Sequence, residues 1–147
     1  MSQTLNGRKI RALVTVLGLD QHEAGALAVS RMLRDAGIEV IYIGRFTLPE
    51  TIAEVAFQED VDVVGISAHS WEFLYYAREL ADLLGAEDLP IPTVVGGSIV
   101  TEADRLQALE AGITEVVLAG ATEQEIVEAF VRLADPEARR ALKTADR

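Results

Sequence analysis

The residues best suited to chemistry form a short motif, Asp20-x-His22-x-x-Gly25, which follows directly on an apolar run. An imidazole can offer one ring nitrogen to a transition metal while a carboxylate fixes the N–H of the other nitrogen. In that relay the acid sets the tautomer of the ring and raises its basicity as a ligand. The spacing therefore indicates a site where His22 holds a metal-bearing cofactor and Asp20 orients His22.

The same stretch also fits a capping box at the start of a helix. Asp20 would cap the helix, and Glu23, three residues later, would reach back to the backbone N–H of the cap. This interpretation accounts for both acids but leaves His22 unexplained. It also leaves Gly25 unexplained, because a glycine one turn into a helix costs ~1 kcal/mol relative to alanine. The motif alone leaves both interpretations open, and Gly25 favours a ligand that comes close to the backbone.

Two further sets of small or polar residues follow apolar runs. Ser67 ends one run, and Gly96-Gly97 ends another. Each has a plain structural interpretation, since a serine often caps a strand end and two glycines often make a tight turn. Ligands in an open α/β sheet bind beyond the carboxyl ends of the strands. His22, Ser67 and Gly96-Gly97 would then share one edge of the sheet and outline one long pocket.

The elements that must position these residues alternate strictly along the chain. Short apolar runs predict five strands, at residues 9–17, 38–43, 61–66, 91–95 and 115–118. Helical periodicity predicts helices at residues 23–35, 49–59, 71–84, 102–111 and 123–134. This alternation predicts an α/β fold with a doubly wound, five-stranded parallel sheet, of the flavodoxin-like or Rossmann-like kind.

Local signals support these helices. Thr101 and Thr122 stand as N-caps, and Gly37 and Gly112 stand at helix C-termini. The apolar spacing of the first helix predicts that one set of residues faces the sheet: Ala24, Leu27, Ala28, Met32 and Leu33.

Composition narrows the class of protein. The chain has 147 residues, of which 50% are hydrophobic and 25% charged, as expected for one compact domain. A formal net charge of -11 argues against a nucleic-acid binder or a polybasic membrane-surface protein. The absence of cysteine excludes disulfides and thiolate metal sites. There is no apolar run of about 18 residues, and the first six residues are polar, so we expect a cytoplasmic location.

The domain is expected to occupy residues 9–134, after an N-terminal extension of residues 1–8. Residues 135–147 form a polar tail containing Arg139, Arg140, Lys143 and Arg147. We expect this tail to be at most a loose helix, frayed and solvated, and we assign it no function.

Other users of this architecture fit poorly. A Rossmann dinucleotide site needs G-x-G-x-x-G after the first strand, which is missing. Phosphoacceptor receiver domains carry an aspartate at the end of the third strand, where this chain has Ser67. A hydrolytic zinc site needs about three protein ligands, whereas the chain has only His22 and His69 and no cysteine.

Taken together, Asp20-x-His22-x-x-Gly25, Val63-Val64-Gly65-Ile66-Ser67 and Val94-Val95-Gly96-Gly97 resemble the cobalamin-binding domain of adenosylcobalamin-dependent carbon-skeleton mutases. The resemblance covers residues 9–133. It implies that His22 replaces the dimethylbenzimidazole of the cofactor as lower axial ligand to cobalt, the base-off/His-on mode, and that Asp20 hydrogen-bonds His22.

The resemblance also implies the path of the displaced nucleotide tail. The tail would run past Gly25, Ser67, Gly96 and Gly97, and Gly120 matches a family glycine in the loop after the fifth strand. One position departs from the family, because His69 stands where the family usually has leucine. His69 would either line the tail pocket or lie at its rim.

The resemblance further implies a function shared between two chains. A (β/α)8 barrel needs roughly 200 residues or more, so this chain cannot hold the substrate-binding barrel of a mutase. We therefore expect a small subunit that presents adenosylcobalamin to a large barrel subunit, inactive alone, in the radical isomerisation of an acyl-CoA. A glutamate-mutase-like amino acid mutase is the second choice.

Two non-mutase functions stay open. Corrinoid methyl carriers have a similar cobalamin domain, but they usually carry a helical bundle ahead of it, and about eight residues precede the first strand here. A cobalamin sensor without catalysis would have the same motif.

Overall fold

Five parallel strands and their connecting helices form the body of the protein. The computed structural model describes residues 4–5, 7–18, 22–68, 72–97 and 101–145. The strands are β1 (Thr4–Leu5), β2 (Arg8–Lys9), β3 (Arg11–Val16), β4 (Glu39–Tyr42), β5 (Val63–Ser67), β6 (Thr93–Gly96) and β7 (Glu115–Val117). The helices are α1 (Ala24–Asp35), α2 (Pro49–Gln58), α3 (Glu72–Gly85), α4 (Glu102–Ala111), α5 (Glu123–Ala134) and α6 (Pro136–Ala145). Within these described ranges, no helix is long and apolar enough to span a membrane.

The main sheet runs in the order β4-β3-β5-β6-β7, and all its strands are parallel. β1 and β2 form a separate antiparallel pair. The order reverses at β3, because the chain adds β4 on one side of it and then β5 on the other. Val16 and Ser67 pair at the carboxyl ends of β3 and β5, beside this switch point. The doubly wound fold predicted from the sequence is confirmed, and in folds of this kind ligands bind near such a switch point.

Both faces of the sheet are buried, which explains why its strands read as nearly continuous apolar runs. Side chains alternate between the faces, so Leu13 packs with α2, α3 and α4, and Val14 packs with α1 and α5. The single buried polar residue of β3 is Thr15, whose hydroxyl donates to Gly44 O at 2.8 Å.

The buried face of α1 differs from the sequence prediction. Ala26, Ser30 and Leu33 are its buried residues, at i, i+4 and i+7. Leu27 is 49% exposed, and Ala24 is also exposed, so the prediction was wrong for both. A serine lies in the buried stripe because its hydroxyl donates to Ala26 O at 2.9 Å, and this bond removes the cost of burying it.

The predicted helix ends are confirmed at four positions. The hydroxyls of Thr101 and Thr122 accept backbone N–H bonds of 3.2 and 3.1 Å and complete capping boxes on α4 and α5. Gly112 caps α4 in the left-handed conformation, and Gly37 follows the last residues of α1. These local rules hold because each cap satisfies backbone groups that a helix end leaves unpaired.

The C-terminal segment folds onto the domain, so the expectation of a frayed terminus was wrong for Pro136–Ala145. Arg139 is buried, and its Nε donates to Pro90 O at 2.8 Å. Its guanidinium also lies 3.5 Å from Asp62 Oδ1. Asp62 in turn accepts two bonds from Arg8, at 3.0 and 2.6 Å. The two termini are therefore joined through one buried carboxylate, at the amino ends of the sheet strands.

Candidate functional site

An apolar cavity of about 320 Å³ lies at the carboxyl edge of the sheet, between α1 and α5. Its walls come from these two helices, the ends of β5, β6 and β7, and the loop of residues 118–121. Five residues that the sequence predicted as cofactor-binding line it: Gly25, Ser67, Gly96, Gly97 and Gly120. The structure thus brings together predicted residues from four separate segments of the chain.

Gly97 makes the closest backbone approach at this cavity. A Cβ at this position would lie 1.6 Å from Ala68 O, so no side chain fits without a shift of the backbone. The same strand ends are joined by a bond from Ala68 N to Gly96 O of 2.8 Å. The double glycine therefore lets the ends of β5 and β6 close against each other below the cavity.

Gly120 shapes the lip of the cavity on the other side. Its φ of 94° belongs to the left-handed region, which favours glycine. A bond from Ala121 N to Leu118 O of 3.3 Å closes the turn around it. A side chain at this position would be strained, even though nothing lies within 4 Å of the place its Cβ would take.

The floor of the cavity contains two residues that the sequence analysis did not single out as site residues. Phe130 of α5 is buried and packs on the backbone of β5 at Gly65. A Cβ on Gly65 would lie 2.6 Å from Phe130 Cζ, so the ring needs this glycine. A glycine inside an otherwise apolar strand was the available signal, since it often marks a close approach.

His22 precedes the first residue of α1 by two positions, and it is not among the residues that line the cavity. It is exposed, and Gly25 in the first turn of the same helix lines the cavity wall. Its predicted partner Asp20 and the predicted pocket residue His69 lie outside the described residues. Their roles stay predictions.

The capping-box interpretation of the motif is wrong. α1 begins at Ala24, so its N-cap is Glu23, and no side-chain hydrogen bond caps the helix there. Asp20 lies three residues before that position. Glu23 turns instead toward β4 and accepts a hydrogen bond from the Tyr42 hydroxyl. Its other oxygen lies 3.8 Å from Arg45 Nε.

The environment of Tyr42 is unusual for a tyrosine near the surface. Desolvation, followed by the hydrogen bond to Glu23, raises the pKa of its hydroxyl well above the ordinary value of 10.0. The hydroxyl therefore stays protonated, and stays a donor to Glu23, throughout the physiological range.

A larger groove of about 580 Å³ lies along the edge strand β7. Charged residues line it, and two of them, Glu115 and Arg132, pair with each other at 2.8 Å. Of the predicted site residues it contains only Gly120. We place the site in the smaller apolar cavity, because the predicted strand-end residues converge there.

The chemistry of the cavity is that of a binding pocket with few polar groups. Apolar side chains and glycine backbone surround one hydroxyl, that of Ser67. Such walls suit a flat, largely apolar group that carries one or two hydrogen-bonding atoms. The exposed imidazole of His22, at the head of the same helix, could coordinate a metal that the ligand itself brings.

Comparisons with known proteins agree on one family. The profile of the B12 binding domain matches residues 10–134. The chain is 40% identical over 126 residues to the pivalyl-CoA mutase small subunit of Xanthobacter autotrophicus, covering 86% of this chain and 84% of that protein. It is 38% identical over 124 residues to the 2-hydroxyisobutanoyl-CoA mutase small subunit of Aquincola tertiaricarbonis, covering 82% and 89%.

Among solved structures, the fold is similar to that of a cobalamin-binding protein from Desulfitobacterium hafniense. The TM-score is 0.72 at 21% identity, over 84% of this chain and 58% of that one. At this identity the likeness supports the fold alone.

Proposed function

The chain belongs to the B12 binding domain family, and on that premise we propose that it is the cobalamin-binding small subunit of an adenosylcobalamin-dependent acyl-CoA mutase. The observation that carries the proposal is the cavity in which Gly25, Ser67 and Gly96-Gly97 meet, with His22 at the head of the same helix. The two acyl-CoA mutase small subunits support the substrate class. The chain covers more than four fifths of each of them.

The residues of the cavity fit the nucleotide tail of cobalamin. The tail ends in a flat, mostly apolar dimethylbenzimidazole, which suits the apolar walls between α1 and α5. Ser67 carries a hydroxyl that can bond a ring nitrogen or a ribose oxygen. Gly25, Gly96 and Gly97 leave room for the tail to approach the backbone.

His22 would hold the lower face of the cobalt, in the base-off/His-on mode. Asp20 would fix the second ring nitrogen of His22 and so set its tautomer and basicity. His69 would line the tail pocket or lie at its rim. The chain thus supplies binding, orientation and axial-ligand electronics.

When bound, adenosylcobalamin supplies the radical that starts the carbon-skeleton isomerisation. His22 would leave the other side of the cobalt to be covered by another chain, for which we propose a large subunit with a (β/α)8 barrel. Substrate selectivity would reside in that barrel. The small subunit alone would then have no turnover.

Electron paramagnetic resonance of bound cob(II)alamin tests the ligand directly. With uniformly ¹⁵N-labelled protein and unlabelled cofactor, coordination by a protein histidine splits the cobalt lines into doublets, whereas dimethylbenzimidazole gives triplets. We expect doublets for the unmodified chain. We also expect them for His69→Ala, which is the matched control because His22 and His69 are the two histidines of the chain. His22→Ala should lose the doublets, and their persistence would show that another residue is the ligand.

A second measurement tests the division of labour between subunits. The small chain should show no acyl-CoA isomerisation with adenosylcobalamin, and activity should appear on addition of a large subunit captured by pull-down. Isomerisation by the small chain alone would overturn the subunit proposal.

A further inference from the structure

The segment of residues 43–48 joins β4 to α2. It is hydrogen-bonded to the end of β3, just before the Asp20-x-His22-x-x-Gly25 motif begins. The backbone N–H of Gly18, at the end of β3, donates to Thr47 O at 2.7 Å. The Thr47 hydroxyl donates to Val16 O at 3.0 Å. Two bonds from one residue therefore hold the chain at the entry to the motif loop.

The motif is held a second time where it enters α1, by Tyr42 at the end of β4 and by Arg45 of the joining segment. Glu23, the residue after His22, accepts the Tyr42 hydroxyl and lies 3.8 Å from Arg45 Nε. Glu23 is the N-cap of α1 but makes no capping bond, so its carboxylate is committed to β4 instead of to its own helix. The contact between Glu23 and Tyr42 thereby holds the N-terminus of α1 against the end of β4.

The segment of residues 43–48 is itself anchored by burial and hydrogen bonds. Thr47 is 7% exposed, and its hydroxyl lies 2.8 Å from that of Thr15 in the central strand. Val16 N donates to Gly44 O at 3.0 Å. Between these anchors Phe46 adopts a φ of 63°, which a bulky side chain takes only where the surroundings impose it. The segment can therefore serve as a fixed reference for the motif.

From these contacts we propose that Tyr42 and Glu23 are positioning residues for His22. They hold the first turn of α1 against β4, and with it the imidazole that must meet the cobalt. This inference rests on the proposed function, because it takes His22 to be the axial ligand. Asp20 would orient the His22 ring from within the motif. The contact of Glu23 with Tyr42 would position His22 from outside it.

Tyr42→Phe is the direct test, since it removes the donor and keeps the ring. The matched control is Tyr75→Phe, at a tyrosine that is 75% exposed and meets Tyr76 edge to face. Both variants and the unmodified chain are titrated with adenosylcobalamin. Labelled samples are then saturated with cob(II)alamin, and the fraction with ¹⁵N doublets is measured. A variant that is merely less stable would keep this fraction at saturation.

We expect Tyr42→Phe to weaken cofactor binding about tenfold. This is the low end of the loss seen when a residue that orients a metal ligand is replaced. We also expect it to lower the doublet fraction, while Tyr75→Phe matches the unmodified chain. Glu23→Gln keeps an acceptor for Tyr42 and should retain most of that fraction, whereas Glu23→Ala should lower it. If Tyr42→Phe does not fold, the two Glu23 variants decide the question.

The outcomes separate the two proposals. An unmodified chain without doublets would overturn the proposed function itself. Doublets in the unmodified chain, with equal affinity and equal doublet fraction in Tyr42→Phe and Glu23→Ala, would overturn the positioning role alone.

Discussion

Gly65 lets the Phe130 ring pack on the backbone of β5 beneath the cavity, and Gly65→Ala should therefore impair cofactor binding as well as folding. The added Cβ would lie 2.6 Å from Phe130 Cζ and 2.9 Å from Cε2. Ordinary carbon contacts need about 3.5–4.0 Å, so the ring must retreat by roughly 1 Å. Phe130 also lines the cavity, and that space is open to the displaced ring.

The energetic consequence follows from that open space. Overpacking a closed core costs typically about 1–3 kcal/mol, and a ring that can move into a cavity should incur the lower part of that range. We expect Gly65→Ala to lower the free energy of unfolding by ~1–2 kcal/mol. The cavity of about 320 Å³ would then be partly filled by the ring. Cobalamin affinity should fall by at least about tenfold, since ~1.4 kcal/mol of lost contact or strain is enough for that.

A double-mutant cycle with Phe130→Leu separates the two effects. Leucine is smaller than phenylalanine and leaves room for the new methyl group, so the double variant should regain cofactor affinity relative to Gly65→Ala. The coupling between the two changes should be at least about 0.5 kcal/mol in binding, as expected for residues in contact. Urea denaturation measures folding, and titration with adenosylcobalamin measures binding. Unchanged affinity in Gly65→Ala, or additive effects in the cycle, would show that the Phe130 ring is not displaced into the cavity.

Three other predictions concern the strand ends, the terminal helix and the effect of pH. Gly97→Ala should destabilise the fold by more than about 3 kcal/mol in denaturant titration, because its Cβ would lie 1.6 Å from Ala68 O and backbone cannot yield as a side chain can. Arg139→Met should cost about 1–3 kcal/mol by removing buried hydrogen bonds, whereas Arg140→Met, at an exposed position of the same helix, should stay within about 0.5 kcal/mol; equal losses would contradict the buried anchor. Because the pKa of the Tyr42 hydroxyl is raised above 10.0, the unfolded chain releases this proton first as pH rises. The contribution of Tyr42 to stability is therefore complete below about pH 10 and is lost as the pH rises above it. Above that pH, the free energy of unfolding should fall more steeply with pH for the unmodified chain than for Tyr42→Phe, as measured by urea denaturation.

The architecture could be predicted because its signals are local and repeated. Apolar runs mark strands buried on both faces, and Thr101 and Thr122 mark helix starts by bonds within four residues. Once the parallel order is known, the carboxyl ends of all strands share one edge. Ser67 and Gly96 could therefore be placed together without any knowledge of their contacts.

What could not be predicted depends on contacts between distant segments. Phe130 reaches the site from α5, and its neighbours in the sequence do not distinguish it from other core residues. Arg139 is one of several basic residues in a polar stretch, and its burial follows from carbonyl groups about fifty residues earlier in the chain. The choice between a capping box and another role for Glu23 depended on Tyr42, which is provided by a neighbouring strand.

The cavity is walled by α1 near the beginning of the chain and by α5 near its end, and this arrangement bears on how the protein is made. A nascent chain on the ribosome would present His22 and Gly25 long before Ile126 and Phe130 have been synthesised. The central strands can pair early, but the opposite wall of the cavity is completed only when α5 has emerged. We therefore expect cobalamin to be acquired only after α5 has emerged from the ribosome and folded against the sheet. Translation intermediates stalled before α5 should accordingly fail to retain it.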